Sequence, residues 1–274
     1  MFTSNPFVTL SEVISPAMMQ GYIVVMVLLV VGGTLLDMMH KKSAKYFFEN
    51  AKKAQKSAKR SVSGGEKVVI ATSVLVNEVM TAGEFSNPQR RLSHFLTMWG
   101  TIIFIVTTAI MIFSPESTST LLPSLWHIGA LMLAVGGYWF WFAIRVDVSA
   151  EGLPWFRFER ADLFILSLLA TSTFALLWSF NGGGLNLLFA LFILSSTALF
   201  GGVYWSKFAH MFFKPAAAYQ KKIIMADGGR ENLPPDYDLT DPEVQRRFPD
   251  VPMYMGKNPP NMGLCIKAER AKHY

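Results

Sequence analysis

The chain has 274 residues, of which 51% are hydrophobic and only 16% are charged, and its formal net charge is +6. A water-soluble domain carries about 25% charged residues, so this composition indicates a membrane protein. The single cysteine, Cys265, excludes an intrachain disulfide. One cysteine also cannot hold an iron–sulfur cluster, because such a cluster needs about four thiolates.

Five apolar runs are long enough to cross a membrane, because a spanning helix needs about 18 or more apolar residues. The first follows an outer N-terminal segment, residues 1–16, whose Pro16 suits the first turn of a helix. Three consecutive glycines, residues 182–184, predict a tight turn between the last two runs. The predicted spans cover residues 17–39, 94–113, 121–144, 163–180 and 185–210.

The basic segment 40–93 separates the first two spans and is predicted to be a cytoplasmic insert. Its residues 67–85 are apolar but contain Asn77 and Glu78, and a carboxylate at the bilayer centre costs about 3 kcal/mol. We therefore expect a helix in the cytosol or at the membrane surface. Residues 41–60 mix lysines with aromatic side chains, which predicts a helix lying on anionic lipid headgroups rather than a nucleic-acid site.

The positions of the positive charges predict the orientation of the bundle. All 25 Lys and Arg residues fall in the 40–93 insert, in the 145–161 loop or from residue 207 onward. With five spans these regions share one side, and positive charge marks the cytoplasmic side. The sequence therefore predicts an all-α membrane protein, a bundle of five transmembrane helices with the N-terminus out and the C-terminus in.

Residues 216–274 form a polar, proline-rich segment after the last span. Pro-Pro pairs and Asp/Asn turns argue against a long helix there. The segment is predicted to be either a disordered cytoplasmic tail or an extended arm that orders against a cytosolic partner. The glycine pairs 136–137 and 201–202 lie inside spans and predict close helix packing. Unbroken apolar spans also argue against a transporter, which usually carries polar groups and broken helices at mid-membrane.

Two histidines stand near the predicted cytoplasmic ends of the second and fifth spans. His94 lies three residues from Arg91 and His210 three residues from Lys207, about 4.5 Å of helical rise in each case. Two imidazoles at matched depth on facing helices could hold the iron of a haem b, with Arg91 and Lys207 near enough for its propionates. The alternative is that both are ordinary residues of the membrane interface.

The chain resembles the cytochrome b (gamma) subunit of respiratory nitrate reductase and the membrane subunits of heterodisulfide-reductase-like, quinone-interacting complexes. The resemblance rests on the R-x-x-H pattern from Arg91 to His94 and on the K-x-x-H-x(4)-P pattern of Lys207, His210 and Pro215. It implies that His94 and His210 are axial ligands of one haem b. The second haem of that family needs deeper histidines, and residues 101–110 and 188–200 contain none.

Within that group, segment 67–91 and the proline-rich tail are most similar to the membrane proteins associated with adenylylsulfate (APS) reductase of sulfur-oxidising bacteria. This similarity implies a multi-pass protein of the bacterial inner (cytoplasmic) membrane. It also implies a respiratory role in sulfur oxidation, in which a cytosolic flavin and iron–sulfur oxidoreductase exchanges electrons with the quinone pool. The chain alone would carry out no substrate chemistry, because no hydrolytic or nucleotide-binding motif is present.

Quinone chemistry needs a protonatable group near the quinone headgroup. His40 on the inside and His127 on the outside are candidates, although each could equally be an ordinary interfacial residue. The rival interpretation is a cofactor-free membrane anchor that docks a soluble enzyme, which the five spans, the basic face and the tail fit equally well.

Overall fold

The computed structural model describes residues 2–83, 85, 87–115, 119–147, 152–206, 208, 210–229, 231, 233 and 242–247. Within these ranges the chain is mainly helical and contains no strand. The α-helices are α1 (Pro6–Ser11), α2 (Pro16–Lys41), α3 (Ser43–Ser57), α4 (Gly64–Ser73), α5 (Pro88–Phe113), α6 (Leu121–Trp139), α7 (Leu163–Phe180), α8 (Leu187–Gly201), α9 (His210–Ala226) and α10 (Pro242–Arg247).

Five helices are long and apolar enough to cross a membrane, which confirms the prediction of an all-α, five-helix membrane protein. Two of them are continued by a different helix type: α6 by the π-helix Phe140–Ile144, and α8 by the 3-10 turn Gly202–Trp205. Spans 1 to 5 are Pro16–Lys41, Pro88–Phe113, Leu121–Ile144, Leu163–Phe180 and Leu187–Trp205.

The ends of two spans differ from the prediction. Span 2 begins at Pro88 rather than at residue 94, because backbone hydrogen bonding continues through polar residues that hydropathy leaves out. Span 5 ends at Trp205 rather than at residue 210. Ser206 is in an extended conformation, and its hydroxyl donates to the carbonyl of Val203 and accepts from the amide of Phe208, which ends the helix.

The chain forms two compact units. Unit 1 comprises Met1–Lys42 and Gln89–Met211, and it holds α1 and the five spans. Unit 2 comprises Ser43–Pro88 and Phe212–Tyr274, two segments that are far apart in the sequence. The basic insert between spans 1 and 2 and the segment after the last span therefore fold together, which the sequence did not predict.

Aromatic side chains form the core of unit 1 at its predicted outer end. Trp126 of span 3 and Trp178 of span 4 are fully buried, and their indole nitrogens donate to the hydroxyl of Thr108 and to the carbonyl of Gly184. Phe7 of α1 packs against both indoles, with ring centroids 6.0 Å and 5.3 Å away. Burial of these rings with their N–H groups hydrogen-bonded anchors α1 to the bundle.

The predicted glycine turn joins spans 4 and 5. Gly182, Gly183 and Gly184 have φ angles of 84°, 71° and 79°, a conformation that other residues rarely adopt. A Cβ atom at Gly183 would lie 2.9 Å from the carbonyl oxygen of Pro6. Glycine is therefore required both for the turn and for the approach of α1.

Spans 2 and 3 touch through their backbones. A Cβ atom at Gly100 would lie 2.6 Å from a backbone nitrogen of span 3, and one at Gly129 would lie 2.8 Å from a backbone nitrogen of span 2. The hydroxyl of Ser93 donates a 2.8 Å hydrogen bond to the carbonyl of Gly136. Small residues allow this close approach, which is how membrane helices commonly associate.

The prediction of close packing holds for one glycine pair and fails for the other. A Cβ atom would lie 2.7 Å from its nearest neighbour at Gly136 and 2.6 Å from it at Gly137. At Gly201 the nearest atom would be 3.9 Å away, and at Gly202 nothing lies within 4 Å. The second pair was wrongly predicted, because the sequence does not reveal which side of a helix faces a neighbour.

Unit 2 is held together by contacts between its two sequence segments. The amides of Lys59 and Arg60 both donate to the carbonyl of Asp227, at 3.0 Å each. The ammonium group of Lys222 on α9 lies 3.3 Å from the carboxylate of Glu78. The Glu78 carboxylate therefore has a charged partner within unit 2.

A capping box begins α4 in unit 2. Ser63 accepts from the amide of Glu66, and the Glu66 carboxylate accepts from the amide of Ser63. The Arg60 guanidinium makes two hydrogen bonds to the same carboxylate, at 2.7 Å and 3.0 Å. The hydrogen bonds from Arg60, and to a smaller extent the one from the Ser63 amide, lower the pKa of Glu66 to about 2.

Helix α9 corrects the prediction for the segment after the last span. Residues 216–226 were expected to be part of an irregular tail, but they belong to a helix that begins at His210 and contains Pro215 in its second turn. The run AAAYQKKIIMA favours a helix, and the Pro-Pro pairs that argued against one lie further along the chain. Most of the remaining tail, residues 234–241 and 248–274, lies outside the described residues.

Candidate functional site

His94 lies about two turns into α5, near the predicted cytoplasmic end of span 2, and is half-buried. The adjacent Ser93 is bonded to Gly136 of span 3, which fixes the rotation of α5 about its axis. Successive side chains on an α-helix differ by about 100°, so His94 lies to one side of the Ser93 contact with span 3. Arg91, one turn earlier, is exposed on the same side of the helix as His94.

His210 is the first residue of α9, beyond the break at Ser206, and so it does not end the fifth span as predicted. Its side chain lies outside the described part of the chain, as does the whole of Lys207. The roles predicted for these two residues therefore remain predictions.

The donor set fits a haem b in its chemistry, because two imidazoles are one of the ligand pairs that haem iron takes. The structure describes one of the two imidazoles, that of His94, in a half-buried position on a membrane helix. His210 is on the helix after span 5, so the two histidines are not both carried by membrane spans, as the matched-depth prediction required.

A buried carboxylate lies near the same end of span 1. Asp37 is 4% exposed, and the ammonium group of Lys41, one turn later, lies 2.6 Å from it. Thr34, one turn earlier, is 8% exposed, and its hydroxyl has no hydrogen-bond partner among the described residues. Ionisable residues are rare within membrane helices and usually mark a functional site.

Tyr204 of span 5 faces this part of span 1. A Cβ atom at Gly33 would lie 3.2 Å from the backbone nitrogen of Tyr204, and the His40 ring lies 6.4 Å from the Tyr204 ring. Asp37 lies four residues after Gly33 and three before His40, so it shares their face of the helix. Asp37, His40 and Tyr204 therefore line the junction of spans 1 and 5, and we call them the junction cluster.

His127 has a different environment from the other candidate residues. It is fully buried in span 3; its Nδ1 lies 2.7 Å from the carbonyl of Pro123 and its Nε2 lies 2.8 Å from the hydroxyl of Ser179. Because a carbonyl only accepts, Nδ1 donates, and Nε2 of the neutral ring accepts from Ser179. The ring also stacks on Phe180 at 5.8 Å. Both nitrogens are engaged within the bundle, which is the geometry of a packing residue rather than of a ligand site.

Sequence reasoning missed Thr34 and Tyr204. Tyr204 precedes Trp205 at the end of an apolar run, a pattern typical of the membrane interface, but nothing in the sequence pairs it with span 1. The facing of His40 and Tyr204 follows from the packing of two helices that are more than 160 residues apart in the chain.

Comparison of the chain with protein-family models, curated proteins and solved structures finds no match in any of the three.

Proposed function

We propose that the chain is the membrane subunit of a redox complex, which anchors a cytosolic enzyme and passes electrons between that enzyme and the quinone pool. The observation that carries the proposal is the junction cluster, where the buried Asp37 shares a face of span 1 with His40, and the His40 ring lies 6.4 Å from the Tyr204 ring of span 5. Span 2 brings His94 to the same end of the bundle, which the basic residues assign to the cytoplasm.

In this proposal His94 and His210 would hold the iron of one haem b, and Arg91 and Lys207 would pair with its propionates. A haem b bound there would take up and release one electron at a time. The half-buried position of His94 suits such a ligand, because the membrane helix shields one side of the imidazole from water.

Reduction of a quinone consumes two electrons and two protons. His40 is exposed and Asp37 is buried beside it, so the pair offers a route for protons between the cytoplasm and a quinone headgroup at the junction cluster. Both ring nitrogens of His127 are hydrogen-bonded within the bundle, which argues against a quinone site at the predicted outer end of the bundle. We therefore propose that the quinone binds at the opposite end, near His40.

The proposed partner is a flavin and iron–sulfur oxidoreductase similar to APS reductase, and the proposed location is the bacterial cytoplasmic membrane. The chain has one cysteine, so the clusters would belong to the partner. Unit 2 supports docking on the cytoplasmic side, because both of its segments carry the positive charge that marks that side.

A cofactor-free anchor is the second candidate function. The observation that favours it is the end of span 5 at Trp205, because this break removes His210 from the membrane helix that was predicted to present it. The five spans and unit 2 would then dock a soluble enzyme without carrying electrons.

The test is a dithionite-reduced minus oxidised visible spectrum of the purified protein from haem-replete cells. We expect a b-type band that is lost in both His94→Ala and His210→Ala. His40→Ala is the matched control: it removes an exposed histidine from the same end of the bundle. It should keep the band but, once excess dithionite has been removed, slow the reduction of an added quinone by the reduced haem.

The absence of the band from well-folded wild-type protein would exclude the haem and leave the anchor. A band that survives His210→Ala but not His94→Ala would assign the second axial ligand to another residue. Unchanged quinone reduction in His40→Ala would exclude His40 from the quinone site without affecting the haem assignment.

A further inference from the structure

The connection between spans 3 and 4 exposes large aromatic side chains. Trp155 is 54% exposed, and Phe156 and Phe158 are each 64% exposed. Phe142, in the last turn of span 3, is 56% exposed. We call these four residues the aromatic loop surface. It shares no residue with the junction cluster or with the proposed haem ligands.

The aromatic loop surface continues the lipid-facing side of span 3. Tyr138, which is 40% exposed, stacks on Phe142 with ring centroids 6.2 Å apart. Phe142 lies 6.3 Å from Trp155, and Trp155 lies 5.7 Å from Phe156. An unbroken series of rings therefore runs from the membrane helix into the loop, in the order Tyr138, Phe142, Trp155 and Phe156. The surface that faces lipid along span 3 therefore extends onto the loop.

A buried ion pair fixes the loop in this position. The guanidinium of Arg145 donates two 2.7 Å hydrogen bonds to Asp162, one to each carboxylate oxygen, and another to the carbonyl of Arg157. Asp162 also accepts from the amide of Glu159 at 2.7 Å. Arg145 is 1% exposed and lies over the ring of Trp141, 4.3 Å from its centroid. These bonds tie both ends of the loop to spans 3 and 4, so the exposed rings are held outward.

Arginines alternate with these rings. The Arg157 side chain is 64% exposed, and the Glu159 carboxylate oxygen lies 3.8 Å from its guanidinium, beyond hydrogen-bond distance, so guanidinium donors are accessible to the solvent. Arg160 lies 6.0 Å from the ring centroid of Trp205, itself 53% exposed at the end of span 5. Tryptophan with arginine is the composition of the boundary between acyl chains and headgroups.

We propose that the aromatic loop surface inserts into the inner leaflet at the level of the headgroups, and that Arg157 and Arg160 bind the phosphates of anionic lipids there. Two observations select lipid as the occupant: the surface is continuous with the lipid-facing side of span 3, and its charge complements anionic headgroups. The ion pair between Arg145 and Asp162 holds the rings at that depth.

The depth can be measured by spin labelling of the full chain in phosphatidylcholine vesicles containing phosphatidylglycerol. The background is Cys265→Ser, which removes the single cysteine of the sequence. A label at Phe156→Cys should show high collision with oxygen and low collision with a water-soluble nickel chelate. Val106→Cys, 49% exposed within span 2, is the reference for the bilayer interior. A free nitroxide in buffer is the reference for water.

The proposal requires the oxygen-to-nickel ratio at residue 156 to lie between the two references. A ratio equal to that in water would show that the loop stands clear of the bilayer and would overturn the proposal. Low collision with both reagents would show that protein covers the surface, which would replace the lipid with a second copy of the chain.

The contribution of Arg157 and Arg160 to lipid binding is tested by measuring how strongly the protein prefers spin-labelled phosphatidylglycerol over spin-labelled phosphatidylcholine. Arg157→Gln and Arg160→Gln should each weaken this preference by up to about fivefold. Arg246→Gln is the matched control, because its side chain is 78% exposed and paired with Glu243 on α10. An equal preference in all three variants would exclude the two loop arginines as lipid ligands.

Discussion

At the scale of single residues, Arg145 shows how a charge is kept inside this protein. Its guanidinium is almost completely buried; Nη1 and Nη2 make three hydrogen bonds and the group lies over the Trp141 ring, while Nε has no partner among the described residues. Such a pair adds little net stability compared with an apolar pair, but removal of one partner leaves the other charge buried and unpaired.

We therefore expect Asp162→Ala to lower the free energy of unfolding by about 3–5 kcal/mol, because Arg145 would then be buried without a counter-ion. Glu49→Ala, on α3, removes the exposed partner of Lys45 and should cost less than about 1 kcal/mol. The measurement is the loss of helical circular dichroism in mixed micelles of increasing SDS fraction. Equal losses in the two variants would contradict the assigned role of the buried pair.

The sequence predicted where along a span a residue such as His94 lies, but it did not predict which side chains contact each other. The spacing of charges placed His94 near the start of its span, and in the structure it lies about two turns into α5. The pairs Arg145–Asp162 and Asp37–Lys41 were not predicted, and neither was the facing of His40 and Tyr204. Side-chain partners depend on how helices rotate about their axes, which hydropathy does not encode.

At the scale of the elements, the apolar runs defined the five spans because length and hydropathy suffice to identify a membrane helix. The helix ends were less predictable. Hydropathy falls gradually, whereas a helix ends where a side chain intercepts its backbone hydrogen bonds, as Ser206 does after span 5. The glycine pairs illustrate the same limit, since only one of the two faces a neighbouring helix.

The contrast between glycines gives a test of helix packing. Gly100→Ala should destabilise the bundle by about 1–3 kcal/mol, because its Cβ atom would meet backbone 2.6 Å away in span 3. Gly202→Ala, where nothing lies within 4 Å, should change stability by less than about 0.5 kcal/mol. Unfolding by SDS in mixed micelles measures both. A loss in Gly202→Ala as large as that in Gly100→Ala would show that the spacing is set by something other than these contacts.

The start of α4 gives a prediction about pH. The pKa of Glu66 is about 2 in the folded chain and about 4.3 in an unfolded one, so its carboxylate stabilises the fold above about pH 4.3. This contribution is lost as the pH falls through about 2. The thermal midpoint of Glu66→Gln should therefore lie below that of the wild type by a constant amount from pH 7 to pH 5.

The difference between the two proteins should shrink below pH 4.3 and vanish near pH 2. Circular dichroism melts at a series of pH values give both midpoints. Glu243→Gln is the control, because Glu243 is also paired with an arginine, Arg246, but lies on α10 and outside the capping box of α4. A difference for Glu66→Gln that persists unchanged at pH 2 would contradict the assignment to the ionised carboxylate.

At the scale of the whole molecule, the sequence correctly predicted a five-span helical bundle but not the second compact unit. Segments 43–88 and 212–274 looked like an insert and a tail because each is polar and too short to form a core alone. Their association depends on Lys59, Arg60 and Asp227 meeting across the sequence, which no local pattern reveals.

The predicted orientation can be tested with a membrane-impermeant maleimide on intact cells. Thr3→Cys in the Cys265→Ser background should be modified from outside, because the segment before span 1 is predicted to be external. The native Cys265 should react only after the membrane is permeabilised. Modification of Cys265 in intact cells would reverse the orientation and move the proposed redox end to the outer face.

Unit 2 also has a consequence for how the protein is made. Its first segment leaves the ribosome before span 2, but its second segment is synthesised only after span 5. The intervening stretch of roughly 120 residues takes about 6–25 s to translate at 5–20 residues per second. During that time Glu78 has not yet met Lys222. Completion of unit 2 therefore follows the synthesis of every span, and a chain truncated before α9 should remain open to proteases on the side of unit 2.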